Sequence, residues 1–243
     1  AIDRDYMVSL LNAAAPYAGY FDGVRVSTRP DAIDEEILQT LKSYNVKAIE
    51  LGAQSMDDEV LKANERGHSS DDVRRSAKLI KEYGFSLGLQ MMTGLFKDSK
   101  ESVYFTANEF VKLKPDSVRI YPTVVLKGTK LYELYLSGEY KSFSFDETVD
   151  ICADLLKLFD ENSIPVIKLG LHASREVEQS MAAGVYHPAF KEICVSELFR
   201  RSLKSRLAGL PAGEYTALIP PKSLSKAAGQ KRANLKFFEQ LGY

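Results

Sequence analysis

Cysteine is scarce in this chain: only Cys152 and Cys194 occur, 42 positions apart in 243 residues. No Cys-x-x-Cys pair exists, so these residues cannot assemble a zinc ribbon or a cysteine-ligated iron–sulfur cluster. Two isolated thiols fit reduced cysteines in a cytoplasmic protein. The histidines are few as well, and His68, His172 and His187 do not stand at metal-ligand spacing. No run approaches the roughly 20 apolar residues that cross a bilayer, so no membrane partner is expected. The Gly-x-Ser-x-Gly nucleophile elbow, the phosphate loop ending in Gly-Lys-Ser/Thr and the Gly-x-Gly-x-x-Gly turn are all missing. With them go the serine hydrolases, the phosphate-loop nucleotidases and the dinucleotide-binding folds.

Neither sign of charge dominates, the formal net being −1. With 45% hydrophobic and 27% charged residues the composition is that of an ordinary globular protein and excludes disordered or fibrous classes. The balance conceals an asymmetry. From Lys191 to the end there are ten basic and four acidic residues, a net of +6, against −7 for the rest. A basic segment of this kind suits a polyanion such as RNA. It equally suits a solvated helix face or docking onto the acidic body.

Helical periodicity is expected near residues 3–17, 33–44, 71–83, 101–113 and 146–162. On the first, Tyr6, Leu10 and Ala13–Ala14 share one face. On the last, Val149, Cys152, Ala153, Leu156 and Phe159 form a stripe behind the capping box Ser144–Glu147. Between them lie apolar runs of strand length, at 23–26, 47–51, 85–92, 117–121 and 165–171. Nearly continuous apolar runs predict parallel strands covered on both faces. The alternation predicts repeated β–α units in a parallel sheet or barrel. After about Leu171 it stops, and a helical extension is expected, with Gln230-Lys231-Arg232 inside a helix-like stretch.

In parallel α/β folds the chemistry gathers at the carboxyl ends of the strands. That places Ser27, Thr28, Arg29, Gln54, Ser55, Gln90, Met92, Thr93, Pro122 and Thr123 on one rim, with Arg29 its only charge. The acidic residues fall mostly at helix starts, as at Asp34–Glu36, Asp57–Glu59 and Asp71–Asp72. The rim therefore offers hydrogen bonds rather than a carboxylate pair for acid–base work. Arg66, in Asn64-Glu65-Arg66-Gly67-His68 after the second strand, can hold a carboxylate in bidentate fashion, or stand as a solvated surface arginine.

Four segments in series carry a resemblance: Val26-Ser27-Thr28-Arg29-Pro30-Asp31, Ile49-Glu50-Leu51-Gly52-Ala53-Gln54-Ser55, Arg66-Gly67-His68-Ser69 and Leu87-Gly88-Leu89-Gln90-Met91-Met92-Thr93-Gly94-Leu95. Together they resemble the radical S-adenosylmethionine (SAM) superfamily, in the branch of oxygen-independent coproporphyrinogen III oxidase and the elongator catalytic subunit. The resemblance covers about residues 1–172. It implies a partial (β/α)6 TIM-type barrel lacking its first two strands, followed by a basic extension over 173–243. It further implies SAM and a [4Fe–4S] cluster as cofactors, and an electron donor as partner.

By position, the resemblance sets Ser27 where the family often has a ribose-binding glutamate, and Arg29 beside it. It sets Gln54 near the SAM methionine moiety, Arg66 on the SAM carboxylate, Gln90 and Met92 at ribose and adenine, and Pro122 and Thr123 on the adenine side. Gln90 stands where an aspartate is common. The family's three-cysteine loop and its Gly-Gly motif are absent, so the resemblance implies a family member whose cluster-binding part is not in this chain. The function expected is that of a radical SAM enzyme fragment. The full-length form would cleave SAM reductively and abstract hydrogen from a substrate that the resemblance does not fix, RNA or a small anionic molecule, with tRNA as the partner the basic C-terminal segment suits. Two other readings stay open: a clusterless SAM- or nucleotide-binding module, and an RNA-binding scaffold using the basic tail.

Overall fold

A computed structural model describes residues 2–172 and 174–243. Ala173, where the basic extension is expected to begin, lies outside the described residues. Five parallel strands form the main sheet: β1 (Val24–Thr28), β2 (Val46–Gln54), β3 (Ser86–Thr93), β4 (Ser117–Pro122) and β6 (Val166–Leu169), side by side in that order. This is a partial α/β barrel, with one strand more than the four that remain when a six-stranded barrel lacks two. β1 is an edge strand among the described residues.

Helices α2 (Glu35–Ser43), α3 (Asp58–Ala63), α4 (Ser70–Glu82), α5 (Lys100–Leu113) and α7 (Phe145–Glu161) lie in the connections between these strands. Each start is written in the sequence. Asp34 and Asp57 accept from the first free amides of α2 and α3, and Ser69, Ser99 and Ser144 form capping boxes on α4, α5 and α7. Capping fixes where each helix starts, and hence how long each strand-to-helix loop is.

The core lies between the sheet and these helices. Ile49, Leu51 and Ala53 of β2, Leu87, Leu89 and Met91 of β3, and Val118 and Ile120 of β4 point into it, with Leu38, Ile80, Phe110 and Phe159 opposite. Strand alternation then sends the intervening residues to the other face. That face carries Arg25, Ser27, Glu50, Gln90, Arg119 and Lys168. Of the two plans expected, sheet or barrel, the barrel holds, and the expected cover on both faces of the strands is corrected: one face packs against helices, and the other is the polar lumen of an open barrel.

Several local expectations also change. On α1 (Arg4–Ala14), Leu11 is buried and Met7 packs on the core, whereas Tyr6 and Leu10 are exposed. The stripe one position along from the expected one faces inward because the short β1 edge offers it apolar cover there. The region after Leu171 is not purely helical: β7 (Met181–Gly184) pairs antiparallel with β5 (Val124–Leu126) in a two-stranded ribbon beside the end of β4. A four-residue strand of Met, Ala and Gly carries too weak a signal to read from sequence. The Gln230–Arg232 stretch is a 3-10 turn in which Lys231 and Arg232 take φ of 50° and 61°, so it breaks a helix rather than extending one.

Helix α9 (Phe190–Leu207) packs along α7 and brings Phe190 and Cys194 into the same core. Arg201 bonds Asp154 at 2.6 Å and Asp150 at 2.8 Å on α7, and Glu197 at 2.9 Å on its own helix. Part of the tail's positive charge is therefore used to dock the tail onto the acidic body. Arg200 and Lys204 lie over the Phe237 ring, and Arg200 also pairs with Glu197 of its own helix.

Candidate functional site

The carboxyl ends of the strands meet as a rim. Gln54 ends β2 with φ of 66°, Thr93 ends β3, and Pro122 ends β4 with Thr123 following. The Thr123 amide donates to the Thr93 carbonyl at 2.9 Å and ties the last two ends together. Among the described residues, Thr93 Oγ1 and Thr123 Oγ1 are buried without a close hydrogen-bond partner. Thr93 stands on the core side of β3, in phase with Met91 and against the Cys152 thiol, so of the two only Thr123, where an unpaired hydroxyl costs about 1–3 kcal/mol, is a candidate for a ligand's polar atom. Just beyond the end of β3, Gly94 is held by Asp98, which accepts from its amide at 2.9 Å, and by Tyr140, which donates to its carbonyl at 2.6 Å. Burial pushes the Asp98 carboxyl up, and burial together with Asp98 pushes the Tyr140 hydroxyl up to about 12.

Arg66 sits in the turn between α3 and α4, where Glu65 and Gly67 both take positive φ. Gly67 takes φ of 71°, where glycine is favoured, and the Arg29 guanidinium lies against it, Nη2 standing 2.8 Å from where a Cβ would be. Arg29 forks onto Asp31 at 2.9 and 2.8 Å, and this holds the Asp31 carboxyl below its ordinary range. Arg66 has no such counter-charge among the described residues. Its Nε is buried without a partner, and burial together with the charge of Arg29 lowers its pKa. Behind it His68 is buried, with Nε2 at 3.1 Å from the Ala53 carbonyl and Nδ1 unpartnered. A guanidinium desolvated beside a second one is poised for an anionic oxygen, a carboxylate above all.

On the lumen face a hub has formed around Glu50, 2% exposed. Its Oε1 accepts from Arg25 at 2.6 Å and from Arg119 at 3.0 Å; its Oε2 accepts from Gln90 at 2.9 Å and from Ser27 at 3.3 Å. Gly88 makes this crossing possible, since a Cβ there would come within 2.7 Å of Glu50 Cγ. Burial raises the Glu50 carboxyl, but Arg25, Gln90 and Arg119 outweigh it and hold the pKa below its ordinary value.

Of the residues singled out from sequence, Gln54, Pro122 and Thr123 share the rim, with Arg66 and Arg29 together beyond the end of β2. Gln90 and Met92 lie in the same strand on the lumen face. Ser27 is turned to Glu50. Ser55 bonds Thr106 of α5 and belongs to the packing. His172 is exposed, and His187 accepts from the Ala189 amide in a local turn. Sequence reasoning missed Glu50 and Arg119. Their signal was present: a charge inside each apolar strand, at the alternate position that faces the lumen. Cys152 and Cys194 are fully buried between α7 and α9, and contact with Cys194 together with burial pushes the Cys152 thiol up. Among the described residues no group of three His, Cys, Asp or Glu could hold a metal ion.

Comparison with known proteins gives a consistent set of relatives. The radical SAM superfamily profile matches residues 2–110, and the radical SAM C-terminal domain profile matches residues 115–200. Human elongator complex protein 3 is 31% identical over 182 residues, covering 72% of this chain and 32% of its own length. The tRNA uridine(34) acetyltransferase of Methanocaldococcus infernus is 33% identical over 132 residues, 52% of this chain and 24% of its own. The chain thus spans about a third or less of the curated relatives it matches. Among solved structures, the archaeal Elp3 of Methanocaldococcus infernus superposes with a TM-score of 0.65 at 26% identity, covering 74% of this chain and 42% of that one. Coproporphyrinogen III oxidase of Escherichia coli, a radical SAM enzyme, shares the fold with a TM-score of 0.54 at 14% identity, covering 85% and 60%.

Proposed function

Since the chain belongs to the radical SAM superfamily, we propose that it forms the SAM-binding part of an enzyme that modifies tRNA. The family's cofactors are SAM and a [4Fe–4S] cluster. The residues of this chain fit the first and not the second. Two cysteines facing each other across a helix pair cannot hold an iron–sulfur cluster, so no step is assigned to one here.

The observation that carries SAM binding is Arg66, a buried guanidinium nitrogen with no hydrogen-bond partner among the described residues. The methionine carboxylate of SAM supplies the missing acceptor. Arg29 is neutralised by Asp31 and shapes the pocket around Arg66 rather than competing for the anion. Gln54 lies on the methionine side. Gln90 and Met92 take the ribose and adenine, and Pro122 and Thr123 close the adenine side, with the Thr123 hydroxyl free to bond the base. When bound, SAM supplies the reactive adenosyl group; the residues named hold and orient it. The tRNA reading is supported by the likeness to tRNA uridine(34) acetyltransferase and by the basic excess of residues 191–243. Two free thiols in place of a disulfide support a cytoplasmic setting.

Arg66→Ala is expected to weaken SAM binding by about 10- to 100-fold, the loss of one charge-assisted pair. It should leave thermal stability almost unchanged, because the Arg66 side chain makes no hydrogen bond among the described residues. Isothermal calorimetry with SAM checks the first and a thermal melt the second. Equal affinity in the variant removes the carboxylate assignment. For tRNA, affinity should fall steeply between 50 and 200 mM salt, by orders of magnitude if about six phosphates are contacted. A flat salt response rules out a phosphate-driven contact.

A second reading, a SAM- or nucleotide-binding module without radical chemistry, is favoured by the donor set: no three-cysteine group exists in this chain. It shares the Arg66 pocket and differs only in what happens after binding.

A further inference from the structure

The hydrogen bonds around Glu50 decide which end of the Gln90 amide a ligand meets. Glu50 is held by two arginines from different strands, Arg25 and Arg119, both on Oε1. Its other oxygen takes the Gln90 Nε2 at 2.9 Å. An ionised carboxylate only accepts hydrogen bonds. The reverse amide orientation would set two oxygens about that far apart on a face where charges are poorly screened. The NH2 end of Gln90 is therefore committed to Glu50. Among the described residues no donor reaches its Oε1.

We infer that Glu50 is a positioning residue that turns the carbonyl oxygen of Gln90 toward the ligand, so that the site selects a sugar hydroxyl able to donate a hydrogen bond. This rests on the nucleoside-site reading above and adds a specificity to it. At this position the resemblance leads one to expect aspartate, an acceptor. A free glutamine could present either end and would be a poor substitute. With Glu50 behind it, Gln90 acts as an acceptor, and without bringing a second negative charge next to the first. Gly88 belongs to the same device, because only a residue without Cβ lets the Glu50 side chain cross toward β3 and β4.

The test uses the full chain, S-adenosylhomocysteine, and its two analogues in which the 2′- or the 3′-hydroxyl is replaced by fluorine, which accepts but cannot donate. In the unaltered protein, calorimetry should show one fluoro analogue binding about tenfold more weakly than the parent, the loss of one hydrogen bond. In Glu50→Gln the neutral side chain can donate or accept, the Gln90 amide is free to turn, and the penalty should shrink to about twofold. Gln90→Leu should remove the penalty while keeping the Glu50 arginine pairs. A folded Glu50→Gln that keeps the tenfold penalty overturns the inference, as does a Gln90→Leu that keeps it.

A measurement independent of ligand guards against a misfolded variant. In the unaltered protein, the side-chain amide protons of Gln90 should exchange slowly and resonate downfield, as expected for a charge-assisted donor. A Gln90 amide that exchanges like free glutamine overturns the inference. If the unaltered chain binds none of the three ligands, the nucleoside-site reading fails. The amide spectrum then decides by itself whether Glu50 holds Gln90.

Discussion

Replacing Glu50 with alanine should cost about 3 kcal/mol of stability, the lower end for breaking a buried ion pair, because Arg25 and Arg119 keep partial contact with water. The loss has two parts. Two guanidiniums lose their acceptor while remaining close to each other on the lumen face. The space that Gly88 leaves open is also no longer filled. Chemical denaturation should show the shift in midpoint with little change in slope. The same residue gives the fold an acid dependence of definite sign. The Glu50 pKa is lowered in the folded state, so its contribution is complete above the unfolded carboxyl value of about 4.3. It is lost as pH falls through the folded value, where the carboxyl takes up its proton. Stability measured against pH should therefore decline more steeply on the acid side in the unaltered protein than in Glu50→Gln, which has nothing to protonate at that place. Parallel curves would remove Glu50 as a source of the acid sensitivity.

Gly184→Ala should open the β5–β7 ribbon. Gly184 has φ of 96°, a conformation that costs an L-residue about 1–2 kcal/mol. A Cβ there would also stand 2.5 Å from the Thr123 carbonyl oxygen and 2.9 Å from Val124 Cα. Both neighbours are backbone and cannot rotate away, so the strain and the clash together amount to about 3 kcal/mol. That exceeds what a pairing of three or four residues can supply, and the ribbon should separate while the five-stranded sheet stays folded. Hydrogen exchange should report lost protection at Val124–Leu126 and Met181–Gly184 with β2 and β3 unchanged. Because Thr123 leads into β5, SAM affinity should fall with it. A variant with full protection in the ribbon would show that the backbone accommodates the methyl group.

How far the sequence reaches is clear from particular elements. The capping box at Ser144, the stripe Val149–Phe159 and the apolar runs at 47–51, 85–92 and 117–121 each appear where expected, because helix starts and strand cores are local properties of composition and period. The rim residues Gln54, Thr93, Pro122 and Thr123 follow from one topological rule about parallel sheets. The β5–β7 ribbon does not follow, since its register depends on a strand arriving from some sixty residues away. Nor does the inward face of α1, where adjacent stripes are both apolar and only the shape of the β1 edge chooses between Leu10 and Leu11.

Family membership, the parallel α/β plan and the lack of a cluster-binding cysteine set were determined by the sequence alone, because motifs, periodicity and residue counts do not depend on how distant parts meet. Tertiary structure decided the partners. Arg25, Glu50, Gln90 and Arg119 come from four strands spread over 95 positions, and only the sheet register brings them into hydrogen-bonding range. The tail's positive charge is similarly ambiguous in one dimension, and the packing of α9 on α7 commits Arg201 to the body. Charge in a sequence is a count, whereas its role depends on which groups share its low-dielectric surroundings, and that is set by the fold.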